Sequence, residues 1–248
     1  MSFLEHLEEL RKRIIYSLLG VAVGFFACFW YADRILALMQ RPIMLALERN
    51  HLPDKLVYLN PTDTFNIHIK VGLLAGLFVA SPYVLYQVWM FISPGLYRNE
   101  KRYVMPFMFS TIFLFVAGGY FGYEIVYPQA LNFLIGYDKQ FQPMITISEY
   151  TDLFLTIIIG LGAIFEMPIM VFFLSLMGMV TAGWMWRNLR YSILVIFIIA
   201  AILTPTTDIL NMCIFAAPMV GLYVLSIAVA WLVHPTRRRA RREAAAKP

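Results

Sequence analysis

Glu166 is the side chain whose chemistry most needs explaining. It stands in Ala163-Ile164-Phe165-Glu166-Met167-Pro168, the seventeenth of twenty-eight residues in an apolar stretch. In a hydrocarbon layer a carboxylate at that depth costs ~2.5–3.5 kcal/mol, so it must face protein or water, or carry a proton. Either an interhelical hydrogen bond or a polar contact for a partner or translocating segment would satisfy it. Pro168 removes a backbone donor and frees the carbonyl of Ile164, which predicts a kink and a partly hydrated face beside the carboxylate. Glu9 and Glu100 lie beside cations: Glu9 is four residues before Arg13, and Glu100 precedes Lys101 and Arg102. Taken alone, both read as helix-surface pairs worth a few tenths of a kcal/mol. Catalytic constellations are absent. His6, His51, His68 and His234 are scattered, and no H-E-x-x-H, G-x-S-x-G or Gly-rich phosphate loop occurs. No enzyme chemistry, cofactor or metal site is expected, and the two cysteines, both within apolar runs, imply no disulfide.

The elements that must position these carboxylates follow from composition. Of 248 residues, 60% are hydrophobic and 14% charged, with a mean hydropathy of +0.70. A soluble domain carries ~25% charged residues and could not hide so much apolar surface. The chain therefore reads as an all-α integral membrane protein with six spans, at about 14–31, 67–92, 105–126, 150–177, 191–203 and 210–233. A bilayer core needs ~20 helical residues. The fifth stretch has only 13, and reads as a short full span in preference to a re-entrant segment. Fourteen Lys and Arg fall at the N-terminus, in the even-numbered loops and in the tail, against five in the odd-numbered loops. The positive-inside rule then puts both termini in the cytoplasm. Because the cations sit at the ends of apolar spans, a basic net charge of +5 implies no nucleic-acid partner.

Smaller features complete the reading. Residues 1–13 contain a Ser2-x-x-Glu5 capping box and a Leu4, Leu7, Leu10, Ile14 stripe, predicting a cytoplasmic amphipathic lead-in and no cleavable signal peptide. Arg34 to Leu47 predicts short amphipathic helices broken at Pro42, or a loosely ordered loop. Gln87 is a candidate interhelical hydrogen-bonder among the aromatics Tyr83, Tyr86, Trp89 and Phe91. Gly118, Gly119 and Gly122 would allow close helix approach, and Asp208 would cap the sixth helix. Arginines of the tail, residues 234–248, suit anionic lipid headgroups or topology anchoring.

One order of motifs ties these together: His6-Leu7-Glu8-Glu9-Leu10-Arg11-Lys12-Arg13, then Ser81-Pro82, Tyr86-Gln87, Trp89, Phe91 and Pro94-Gly95-Leu96-Tyr97, then Glu100-Lys101-Arg102. Phe115, Gly118, Phe121, Tyr123 and Pro128 follow, then Phe165-Glu166-x-Pro168 and Thr204-Pro205-x2-Asp208. This pattern resembles the TatC family, the multispanning core of the twin-arginine protein translocase. The resemblance implies a single glove-like, concave bundle with short fifth and sixth helices. It implies that Glu9 and Glu100, with Arg11 and Glu8 beside the first, bind the Arg-Arg pair of signal peptides on folded precursors. Guanidinium forms bidentate pairs with carboxylate, a fork that Lys lacks. Glu166 would be the family's intramembrane polar site. Gln87 and the fifth-span region around Pro205 and Met212 would meet TatA-type and TatB-type single-span partners, and Pro42 would be a hinge. The implied protein is a receptor and scaffold that self-associates in the inner membrane and draws on the proton gradient. The rival reading is an ion-coupled small-solute transporter using Glu166.

Overall fold

The computed structural model describes residues 3–53, 55–92, 104–136, 144–204 and 209–233. The chain is an all-α membrane protein. Its helices are α1 (Phe3–Phe29), α2 (Ala32–Arg49), α3 (Asp63–Ile92) and α4 (Val104–Phe121), then a π-helical turn (Gly122–Val126) running into α5 (Tyr127–Gly136). There follow α6 (Ile147–Phe165), α7 (Met167–Leu176), α8 (Ala182–Arg187), α9 (Leu189–Leu203) and α10 (Ile209–Val233). Among the described residues five stretches are long and apolar enough to cross a bilayer, and α9, at 15 residues, is shorter than these. The chain divides into two compact units, Met1–Gly162 and Ala163–Pro248.

Four boundaries depart from expectation. The amphipathic lead-in and first span form one helix of 27 residues, because Arg11, Lys12 and Arg13 are good helix formers and nothing between them and Ile14 breaks the backbone ladder. The third apolar run continues past residue 126 as α5, since the π turn passes Tyr127 on without interrupting the helix. The fourth is divided at Glu166, where the backbone tightens and the Glu166 N–H donates to the carbonyl of Ala163 at 3.2 Å. The last helix is not short: α10 has 25 residues, and of the two final spans only α9 is abbreviated.

In the first unit α1 and α3 pack backbone to backbone. Gly24 and Gly76 face each other so closely that a Cβ on Gly76 would sit 2.5 Å from the nitrogen of Phe25, and one on Gly24 would sit 2.6 Å from the carbonyl oxygen of Gly76. One turn along, Gly20 receives the ring of Tyr83. In lipid, where apolar burial drives helices together only weakly, this approach supplies the van der Waals contact that holds them.

Pro42 and Pro82 lie in the interiors of α2 and α3, and in each a hydroxyl takes up the carbonyl that the proline frees. Pro42 lacks the N–H that would bond Leu38, four residues back. That carbonyl instead accepts from the hydroxyl of Tyr123 at 2.8 Å, while the next carbonyl, Met39, accepts from the hydroxyl of Tyr150. Pro82 likewise frees the carbonyl of Phe78, which accepts from Ser81 Oγ at 2.7 Å. Pro42 therefore does not break the segment into short pieces. It is buried within one continuous amphipathic helix, and the Leu38 carbonyl that it frees is where Tyr123 ties to α2. Around α2, His68 Nε2 pairs with Asp33 Oδ1 at 2.9 Å, Lys70 pairs with Asp152, and an isolated β-bridge joins Val57 to Thr146.

In the second unit α7 and α10 pack through buried Phe173, Phe215 and Met219, and Ser175 Oγ donates to the carbonyl of Ala230 at 3.4 Å. Tyr223 accepts from Ser192 Oγ at 2.7 Å and donates to the carbonyl of Met185 at 3.0 Å, holding α8, α9 and α10 together.

Candidate functional site

Glu9 lies on the second turn of α1, half-buried, whereas its neighbours Glu8 and Arg11 are exposed. Its Oε1 meets Arg13 Nη2 at 3.4 Å, a long contact for a charge-assisted bond, and its Oε2 is buried without a partner among the described residues. Arg13 is turned toward α3, where its Nη1 donates to Gln87 Oε1 at 3.0 Å, and its Nε is also unpartnered. The side chain of Gln87 is thus the interhelical hydrogen-bonder its place in the aromatic stretch suggested. A turn further along α3, Phe91 stacks on His6 with centroids 4.5 Å apart. The Gly24–Gly76 contact fixes the separation of the two helices, and so fixes the distance over which Arg13 reaches Gln87.

The result is an under-coordinated carboxylate at the end of a helix pair. A carboxylate offers about four lone-pair sites, and Glu9 uses one of them at long range. An incoming guanidinium could complete it in bidentate geometry, with Arg13 already filling part of the same role from within. Sequence reasoning identified Glu9 and Gln87 and paired Glu9 with Arg13 from their i, i+4 spacing, but did not foresee that Arg13 reaches across to Gln87.

Other expected site residues are placed separately. Pro82 lies exposed on α3, where the ladder is repaired by Ser81. Glu100, Pro94, Tyr97, Pro205 and Asp208 lie outside the described residues. Met212 is in the opening turns of α10, so it belongs to the sixth apolar helix and not to the fifth-span region. Glu166, in the second unit, is half-buried at the break between α6 and α7, and its Oε1 is buried with no hydrogen-bond partner among the described residues. Among the described residues no group of His, Cys, Asp and Glu could hold a metal ion.

That orphaned oxygen makes a signed prediction. An unmet buried acceptor costs ~1–3 kcal/mol, which Glu166→Leu removes. The substitution should leave the thermal unfolding temperature of the detergent-solubilised protein unchanged or raise it. A clear fall would mean that the carboxylate is a structural hydrogen-bonder after all.

Comparison with known proteins decides the lineage. Residues 5–218 match the family model described as Sec-independent protein translocase protein (TatC). The chain belongs to the TatC family. The Sec-independent protein translocase protein TatC of Koribacter versatilis is 71% identical over 98% of this chain and 90% of that protein. That of Aquifex aeolicus is 35% identical, over 92% of this chain and 93% of its own length. A crystal structure titled as the twin-arginine translocase receptor TatC superimposes with a TM-score of 0.81 at 34% identity, covering 92% of this chain and 99% of that one. TatC proteins are translocase components and not enzymes, which agrees with the absence of catalytic motifs in the sequence. The π turn, the α5 continuation and the hydroxyl-repaired prolines all lie within the matched region.

Proposed function

We propose that this chain is the receptor and scaffold of a twin-arginine translocase, reading the Arg-Arg pair of signal peptides with Glu9 and Glu100. The observation that carries the proposal is the coordination of Glu9: a half-buried carboxylate with one oxygen at long range from Arg13 and the other buried without a partner. In partly dehydrated surroundings a second guanidinium gains more than it would in water, because the local dielectric is lower. Lys presents a point charge with no planar fork, so discrimination for Arg follows from geometry. Glu100 follows α3 by eight residues and supplies the second carboxylate for the second arginine.

In this reading both termini face the cytoplasm, so that Glu9 meets precursors before export. The apolar part of the signal then enters the membrane, where Glu166 offers a polar contact. TatA-type and TatB-type single-span partners dock around Gln87 and Met212, and further copies of the chain assemble beside them. The proton gradient drives passage of the folded cargo.

A peptide carrying a photoreactive group next to its arginine pair provides the test. With the full chain in lipid nanodiscs, the Arg-Arg peptide should label the α1 end of the protein. Its Lys-Lys counterpart should label roughly tenfold less, the factor that ~1.4 kcal/mol gives. Equal labelling by the two peptides would overturn the assignment.

A further inference from the structure

At the opposite end of α3 from Gln87, the first unit carries a polar cavity of about 290 Å³, apart from the Glu9–Arg13–Gln87 arrangement. Arg41 and Arg49 reach it from α2, Glu124 and Tyr123 from the π turn, and Asn132 from α5. Arg41, Leu45 and Arg49 are spaced i, i+4, i+8, so they form one stripe of the helix. Neither guanidinium, nor Glu124, takes part in an ion pair among the described residues. Charged side chains are held together here without neutralising one another.

The cavity adjoins an apolar surface. An apolar groove of about 300 Å³ begins at Tyr123, which lines both, and is walled by Leu38, Ala75, Phe78, Val116, Tyr120 and Ile158. The same stripe of α2 runs under both, with Ile35 and Leu38 beneath the groove and Pro42, Ala46 and Arg49 beneath the cavity. Trp30, Tyr31 and Tyr58 are exposed at this end, as aromatic residues are at headgroup depth. The π turn is a further pointer. Such turns are less stable than α-helix and are retained mostly at functional positions, and this one supplies both Tyr123 and Glu124.

We propose that cavity and groove together bind one phospholipid of the adjoining leaflet, with a headgroup bearing a phosphate and a primary ammonium. The two guanidinium groups take the phosphate, for which their planar donors are matched. Glu124 takes the ammonium, which offers N–H donors that a trimethylammonium lacks. One acyl chain lies in the groove past Leu38 toward Ile158. The bound lipid then lies along α2, which the Tyr123 and Tyr150 hydroxyls already pin through the carbonyls freed near Pro42.

Native mass spectrometry of the full chain tests this, after equilibration with equal amounts of phosphatidylethanolamine, phosphatidylcholine and phosphatidylglycerol carrying identical chains. The ethanolamine lipid should be retained roughly tenfold over choline. Arg41→Gln with Arg49→Gln should abolish retention of both the ethanolamine and glycerol lipids, while Arg41→Lys with Arg49→Lys keeps part of it. Glu124→Gln should erase the preference for ethanolamine over choline and strengthen binding of the anionic glycerol lipid. Soluble glycerophosphoethanolamine should compete only weakly, since it lacks the chain that fills the groove. The proposal fails if the double glutamine variant, folded by circular dichroism, keeps its lipids, or if Glu124→Gln leaves headgroup selectivity intact. Full displacement by the soluble headgroup at equal concentration would also overturn it.

Discussion

Gly76→Val is expected to unfold or separate the α1–α3 pair, the largest structural effect any single substitution in the first unit should produce. A Cβ at this position meets backbone atoms of Gly24 and Phe25 at 2.5 to 2.8 Å, and backbone cannot rotate away as a side chain can. Overpacking a yielding site costs ~1–3 kcal/mol, and this site does not yield, so at least ~3 kcal/mol is expected. For a chain of this size that corresponds to a fall of ~6 °C or more in the unfolding temperature. Gly221→Ala is the control, because nothing lies within 4 Å of its added methyl, and mid-helix alanine is favoured over glycine. Unfolding followed by circular dichroism in detergent should show Gly76→Val far below the parent and Gly221→Ala at or above it. Similar melting for both would mean that the close approach does not hold the unit together.

Glu9→Ala with Glu100→Ala should produce the largest functional loss. Each carboxylate removed forfeits a charge-assisted pair worth ~1.5–3 kcal/mol, a factor of roughly 10 to 100 in signal-peptide affinity. Glu9→Ala alone should cost most of one such factor while leaving the fold intact. Arg13 would keep its bond to Gln87, and the close Gly24–Gly76 approach lies several turns away. Glu8→Ala should do little, since that side chain is exposed and outside the Arg13–Gln87 arrangement. Fluorescence anisotropy with a labelled Arg-Arg peptide distinguishes the cases. A loss for Glu8→Ala equal to that for Glu9→Ala would move the site by one residue and off the half-buried face.

Periodicity and hydropathy made the membrane class and the run of apolar helices readable, because each span is a long uninterrupted signal that no local residue contradicts. Pro42 misled for a physical reason. The carbonyl it frees is taken up by the hydroxyl of Tyr123, and the next one also accepts from Tyr150, partners that are distant in sequence. The closest helix contact was legible but missed. Gly20-x3-Gly24 and Gly72-x3-Gly76 are small residues at four-residue spacing in two apolar runs, the same pairing signal that Gly118 and Gly122 carry. The π turn left no trace in composition, since its residues Gly122–Val126 read as ordinary helix. Glu9 was recognised by its place in a family motif. Its open coordination, which gives that motif a physical meaning, depends on the burial of one oxygen and the reach of Arg13, and neither is written in the spacing of residues.

A double-mutant cycle addresses the central claim most directly. The full chain and its Glu9→Gln variant would each be titrated with a signal peptide carrying Arg-Arg and with one in which a single arginine is replaced by lysine. If the carboxylate grips a guanidinium fork, one of the two replacements should show a coupling energy with Glu9 of ~1.5 kcal/mol or more. Losses that simply add, within ~0.5 kcal/mol, for both arginine positions would show that Glu9 and the arginine pair do not touch.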